Sequence, residues 1–166
     1  MIDICKIRKV KNPERGTNAS AGIDIFIPEF DFAFRKEFSE LNKSTGSIIG
    51  TSQIAIPPQC GVLIPSGIRY QIPKDHVLVA MNKSGVASKT GLLVGACVCD
   101  QDYQGEYIIS LINTSDVPVK IQSGKKIVQL LLLPVVISDI RFLPEEDFDK
   151  VATERGAGGF GSTGER

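Results

Sequence analysis

The sequence predicts an all-β fold, a jelly roll or distorted barrel. Short β-branched apolar runs recur along the chain, and Gly, Pro, Asn and Asp punctuate them at close intervals. Helical periodicity is scarce. Many short strands joined by tight turns is the signature of a sandwich or barrel.

Strands are expected at 2–9 and 21–27, with the Asn12-Pro13 turn between them. Further strands fit 53–56, 61–65, 69–72 and 77–82, broken by Pro57-Pro58, Pro65-Ser66-Gly67 and Pro73-Lys74-Asp75. Proline presets φ in such turns, and Gly or Asp tolerates their tighter positions. Strands at 93–98, 107–113, 119–121, 126–136 and 140–143 complete the set, with Asp116 and Ser123-Gly124 as breaks. Two segments depart from the pattern. Residues 83–90 (Lys-Ser-Gly-Val-Ala-Ser-Lys-Thr) fit one short helix, whose first N–H groups would favour an anion. Residues 30–50 carry Phe30, Phe32, Phe34 and Phe38 and then turn polar, which fits a hairpin or short helix packed on the outside. Residues 144–153 are acidic and read as a linker. The expected organisation is a β domain over 1–143, with an insertion at about 30–52, then a linker and flexible glycine-rich C-terminal arm over 144–166.

At 166 residues the chain suits one domain. Lys+Arg and Asp+Glu both number 19, so no excess of positive charge suits coating a nucleic acid. No apolar run is long enough to span a bilayer, and the first residues lack the apolar core of a secretory signal. A cytoplasmic protein is expected. Cys97 and Cys99 are separated by one residue, and His76 is the single histidine. With Cys5 and Cys60 they make no structural zinc set, and triad-type hydrolysis lacks its base. Free thiols and a surface histidine in a turn are expected.

Chemistry concentrates in two places. In 91–107, two apolar strands flank a polar turn with Asp100 just where the first strand ends. A carboxylate there can serve as a general base, Tyr103 can stack on a sugar face, and exposed backbone can read a base edge. The same residues also suit a charged turn. An Asp100-Gln101-Asp102 metal site is a third reading, but few other carboxylates lie nearby. The second place is the tail from Arg155 to Arg166, with five glycines. Its glycine backbone can present N–H groups to an anion. Ser162 and Thr163 add hydroxyls, Arg155 a planar cation for phosphate, and Phe160 a flat apolar face. It reads as a nucleotide flap or as an unordered terminus.

Five motifs stand in order: Ala21-Gly22-Ile23-Asp24-Ile25, Lys83-Ser84-Gly85-Val86-Ala87, Gly95 to Glu106, Gly124-Lys125-Lys126-Ile127-Val128-Gln129-Leu130, and Arg155 to Gly164. Together they resemble the trimeric deoxyuridine triphosphate nucleotidohydrolases (dUTPases), over nearly the whole chain except about 30–52. That segment looks like an insertion after the first motif, of the kind viral members carry. The resemblance implies a dUTPase-like jelly roll that hydrolyses dUTP to dUMP and pyrophosphate with Mg2+. It implies Asp100 as the base that activates water for attack on the α-phosphorus, and Tyr103 beneath the deoxyribose, rejecting a 2′-hydroxyl. Gly95, Ala96, Cys97 and Val98 match the loop that reads uracil. Lys83, Ser84, Gly85 and Gln129 match phosphate-binding positions. Arg155 matches the γ-phosphate arginine, Phe160 the ring over uracil, and Gly161, Ser162 and Thr163 further phosphate donors. Asp24 matches the aspartate near a metal-bound water, with Mg2+ held mainly by the phosphates.

The resemblance also implies a homotrimer whose active sites are shared. Motifs one, two and four would come from one subunit, the third from a second, and the arm from a third. Lys83 departs from the family's usual arginine and loses its bidentate fork; Asn82 replaces a frequent proline. Two alternatives stand beside the hydrolase: a nucleotide-gated regulatory protein with a partner at 30–52, and a dCTP deaminase on the same fold. The deaminase would need a glutamate-centred site that the third motif does not offer.

Overall fold

The computed structural model describes residues 1–43, 45–148, 153–154 and 156–158. It divides into a unit of Met1–Val136 and a unit of Ile137–Arg166. In the first, β1 (Asp3–Lys6), β2 (Glu14–Arg15) and β3 (Ile23–Phe26) precede helix α1 (Phe32–Leu41). Then come β4 (Ser47–Ile49), β5 (Gln53–Ile56), β6 (Gly61–Pro65), β7 (Ile68–Gln71) and β8 (His76–Asn82), and helix α2 (Ser84–Thr90). β9 (Leu92–Val94), β10 (Val98–Cys99), β11 (Ile108–Asn113), β12 (Val119–Gln122) and β13 (Lys126–Pro134) complete it.

The strands form antiparallel sheets in the orders β10-β8-β13-β3-β2, β6-β11-β9, β12-β5-β4 and β1-β7. The jelly-roll expectation is met by these packed, mostly short-stranded sheets. Period-2 alternation drives the packing. Ile54 and Ile56 of β5, Val62 and Ile64 of β6, and Ile109 and Leu111 of β11 point into one shared core. β3 is buried at all four positions, Asp24 included. No described helix is long and apolar enough to cross a membrane.

Helix resolves the 30–50 segment. Asp31 caps α1 by accepting a hydrogen bond from the Phe34 N–H at 2.8 Å, as an N-cap should. Phe30, Phe34 and Phe38 recur every four residues, so they share one face. Phe30 and Phe34 stack with centroids 4.5 Å apart, and Phe34 and Phe38 at 6.0 Å. Phe32 falls off that face and is exposed. At the far end Asn42 accepts from the Leu63 N–H (2.8 Å) and donates to the Leu63 carbonyl (2.7 Å), extending the β6 edge as a strand would.

Several expected boundaries move. The expected strand at 93–98 is two strands in different sheets, β9 beside β11 and β10 beside β8. The chain changes sheet at Gly95, where a Cβ would lie 2.7 Å from Ser110 Oγ. β2 and β4, of two and three residues, are too short to show a period. In the second unit, 140–143 form no strand. Ile140 and Phe142 are exposed, and a strand needs a neighbour for its backbone groups. The acidic linker contains a short helix, α3 (Glu145–Phe148). Its Asp147 and Phe148 N–H groups bond the Pro144 carbonyl at 3.1 Å, and acidic residues suit a helix start.

Candidate functional site

Asp24 sits mid-sheet, paired in register with Glu14 on one side and Gln129 on the other. Its carboxylate is almost wholly buried, so it requires partners. Lys83, at the N-cap of α2, bonds Oδ1. Lys126 reaches Oδ2 at 3.1 Å and Glu14 at 2.8 Å. Burial alone would push the Asp24 carboxyl up, but the two lysines outweigh it and hold the group below the ordinary carboxylate value. Gln129 donates to the Asn82 carbonyl at 2.9 Å, and the Asn82 side chain accepts from the Val94 N–H at 2.7 Å. Gly22 is required beside this group, since a Cβ there would lie 2.2 Å from Gln129 Oε1. Lys83 makes no side-chain cap of α2, and the first N–H groups of a helix lack intrahelical partners. Ser84 and Gly85 stand there, exposed.

Asp100 lies in a second place. It follows β10 and is exposed, in a recess of about 210 Å3 lined by Ala96, Val98, Cys99, Tyr103, Tyr107 and Ile108. The Tyr103 N–H donates to the Asp100 carbonyl at 3.1 Å, so one turn carries both side chains. The Tyr103 hydroxyl donates to the Glu106 carbonyl at 2.8 Å. Its ring crosses Gly105 so closely that a Cβ there would lie 2.3 Å from the hydroxyl oxygen. Upstream, Gly95 donates to the Ser110 carbonyl (3.0 Å) and the Cys97 carbonyl accepts from Ala80 (2.7 Å), fixing both ends of the 95–98 loop. Burial, with the Asp100 charge adding to it, pushes the Cys99 thiol up and disfavours its thiolate. All four cysteines are free.

Arg8 holds the Glu106 carboxylate with two bonds, Nε to Oε1 at 3.0 Å and Nη2 to Oε2 at 2.9 Å. The same Nη2 bonds Glu37 of α1. The Gly67 N–H adds a bond to Glu106 Oε1 at 2.6 Å. A larger concavity of about 340 Å3, along β1 and β7, is lined by Asp3, Cys5, Arg69 and Tyr70 among others and shares no residue with the Asp100 recess.

The structure thus groups Asp24, Lys83 and Gln129, and separately Asp100, Tyr103, Ala96 and Val98; Gly95 and Cys97 belong to the loop that rims the second group. It does not bring the two groups together within one chain. Cys99 pairs with Leu78, whereas Asn82, just before Lys83, lies four residues further along β8, about 13 Å at strand rise. Arg155, Phe160, Gly161, Ser162 and Thr163 lie outside the described residues. Among the described residues no three His, Cys, Asp or Glu side chains converge as a metal cage. Sequence reasoning did not single out Lys126 as an Asp24 partner, nor Arg8 and Glu106. Lys126 stood within a quoted motif, but only strand register shows that it faces Asp24; Arg8 meets Glu106 across 98 residues of sequence, a contact no local pattern marks.

A family model described as dUTPase matches residues 47–164. A deoxyuridine 5'-triphosphate nucleotidohydrolase of Debaryomyces hansenii is 34% identical over 152 residues, covering 92% of this chain and 79% of that protein. One from Actinobacillus pleuropneumoniae is 40% identical over 118 residues, covering 69% and 76%. Among solved structures, a Staphylococcus bacteriophage 80alpha dUTPase with dUPNHPP aligns with TM-score 0.77 at 23% identity, covering 99% of this chain and 98% of that one. The dUTPase of phage phi11, described with a species-specific insert, aligns with TM-score 0.69 at 20% identity, covering 91% and 99%. These structures share the fold. The fold and these relatives define a jelly-roll nucleotide hydrolase. The chain belongs to the dUTPase family, and its activity is that of a dUTP diphosphatase. The family model begins beyond α1.

Proposed function

We propose that Asp100 is the general base of dUTP hydrolysis. Its carboxylate takes a proton from a water as that water's oxygen bonds the α-phosphorus, and the α–β bridging bond breaks to release pyrophosphate. Tyr103 lies beneath the deoxyribose, where a 2′-hydroxyl would meet the ring. The loop of Gly95, Ala96, Cys97 and Val98 reads uracil through its backbone. Lys83, the N–H groups of Ser84 and Gly85, and Gln129 grip phosphates. Arg155, Gly161, Ser162 and Thr163 close over the phosphates, and Phe160 covers the base. The single observation that carries this reading is the one turn holding Asp100 and Tyr103 at the rim of a recess.

The donor set fits a Mg2+ ion that arrives on the triphosphate. Among the described residues the buried carboxylate of Asp24 stands beside lysines and not in a cage of other acids, and Mg2+ keeps most of its waters. Asp24 would hold one of those waters. When bound, the ion neutralises phosphate charge and aligns the α-phosphorus.

A homotrimer completes each site. The separation of Lys83 from Asp100 along β8 supports this, because one chain alone spreads its phosphate and base groups apart. So does an apolar face on the β6-β11-β9 sheet, where Leu63, Leu93 and Ile112 point outward. Contiguous exposed apolar surface marks an interface. In this reading the enzyme limits uracil in DNA and supplies dUMP for dTMP synthesis, with the cytoplasm as its expected location.

Asp100→Asn tests the reading. The variant should bind dUTP as a folded trimer yet release pyrophosphate about 100- to 10,000-fold more slowly, the usual range for a lost general base. Undiminished turnover would remove Asp100 from its role.

A further inference from the structure

Arg8 is one cation shared between two carboxylates that belong to different parts of the chain. Glu37 lies on α1, outside the residues the family model matches, and Glu106 lies three residues beyond Tyr103. The Arg8 and Glu106 side chains are about nine-tenths buried, at 10% and 9% exposure, and Glu37 is 36% exposed. Bidentate guanidinium–carboxylate pairing in such a place fixes orientation as well as distance. The Glu106 side chain is therefore pinned from two directions, by Arg8 and by the Gly67 N–H. Gly67 has φ of +75°, and a Cβ there would lie 2.9 Å from Arg8 Cβ, so the turn admits Arg8 only because it is glycine. With its side chain pinned, Glu106 has little freedom to move its carbonyl, and that carbonyl anchors the Tyr103 hydroxyl.

We propose that Arg8, Glu106 and Glu37 are positioning residues for Tyr103, an ionic relay through which helix α1 of the 30–52 segment sets the height of the sugar platform and so the discrimination between deoxyribo- and ribonucleotides. The proposal rests on the reading of Tyr103 as that platform. Glu37 pulls on Arg8, Arg8 on Glu106, and the Glu106 carbonyl on the phenol. Loosening any link lets the ring recede and makes room for a 2′-hydroxyl. The water, the base and the phosphorus are untouched, so the chemical step should keep its rate.

The test compares kcat and KM for dUTP and for UTP, with Mg2+, in the full-length protein. Glu37→Gln keeps shape, removes one charge and sits far enough outward to leave folding intact. It should lower the dUTP-over-UTP ratio of kcat/KM about threefold to tenfold through KM, with kcat for dUTP within about twofold, as for weakened uniform binding. Arg8→Gln should lower the ratio further. The double variant should match Arg8→Gln alone, since Glu37 acts only through Arg8. Tyr103→Ala serves as the control and should collapse the ratio. If it does and Glu37→Gln, folded and equally stable, leaves the ratio unchanged, the relay is overturned while the platform stands. If Tyr103→Ala leaves the ratio unchanged, the platform is overturned and the relay with it.

Discussion

The Lys83 ammonium, the cation at the start of α2, is bonded to the Asp24 carboxylate in the middle of the sheet. The residue proposed to grip phosphate is thus held by an acid of the same chain. A triphosphate carries more charge than one carboxylate, so it can draw Lys83 away while Lys126 keeps Asp24 paired.

That pairing gives stability a pH dependence. Asp24 titrates below its ordinary value in the folded chain. Its contribution is full above the unfolded value of about 3.9 and is lost as pH falls below that, through the lowered folded value. Asp24→Asn should flatten the acid limb of a Tm-against-pH curve and leave its shape above about pH 5 unaltered. Thermal melts across that range check the sign.

Lys83→Arg should strengthen phosphate binding. A guanidinium can fork onto two phosphate oxygens where an ammonium meets one. A gain in kcat/KM of about tenfold would correspond to ~1.4 kcal/mol. Steady-state dUTP kinetics measure it.

Gly22→Ala should leave the fold largely stable yet weaken substrate binding. The added methyl would lie 2.2 Å from Oε1 and 2.9 Å from Cδ of Gln129, the far end that can swing aside, and 3.1 Å from its Cβ, which a shift of a few tenths of an ångström relieves. In swinging, Gln129 gives up the Asn82 carbonyl and, with it, the place from which it is proposed to contact phosphate. KM for dUTP should rise by roughly fivefold with Tm nearly unchanged, the signature of lost binding rather than lost structure.

Gly105→Ala should act on the sugar site. The methyl would occupy space filled by the Tyr103 ring, a rigid group with no alternative short of leaving the turn. The dUTP-over-UTP ratio should fall, and kinetics with both nucleotides read it.

Phe38→Ala tests what holds α1. Phe38 is 2% exposed and stacked on Phe34, and removing such a ring from a core costs about 3–5 kcal/mol. Chemical denaturation should show that loss.

Much of this architecture is legible in the sequence, for local reasons. β5 alternates over its four residues and β6 over its first four, and their ends carry Pro57 and Pro65-Ser66-Gly67. Residues 83–90 read as the helix that α2 is. The four-residue spacing of Phe30, Phe34 and Phe38 is equally readable, but Phe32 between them imitates a strand's alternation, so the sequence leaves helix and hairpin level and the Asp31 cap decides for the helix. Composition alone suggests a strand at 140–143, whereas a strand is a relation with a neighbour. In the proposed site, Asp100, Tyr103, Lys83 and Gln129 are legible because the chemistry proposed for them is borne by residue type within short motifs. Lys126 and Arg8 act through contacts that register and folding create.

The gap along β8 between Lys83 and Asp100 bears on how the enzyme would fail and recover. If each catalytic chamber is assembled from different protomers, a lesion in the lysine half and a lesion in the carboxylate half damage different contributors. Two strongly impaired preparations, Asp100→Asn and a phosphate-half double variant carrying Lys83→Ala and Gln129→Ala, should then regain turnover when unfolded together and reassembled, because some mixed assemblies would hold one intact chamber. Enzymes whose sites lie within a single protomer show no such complementation.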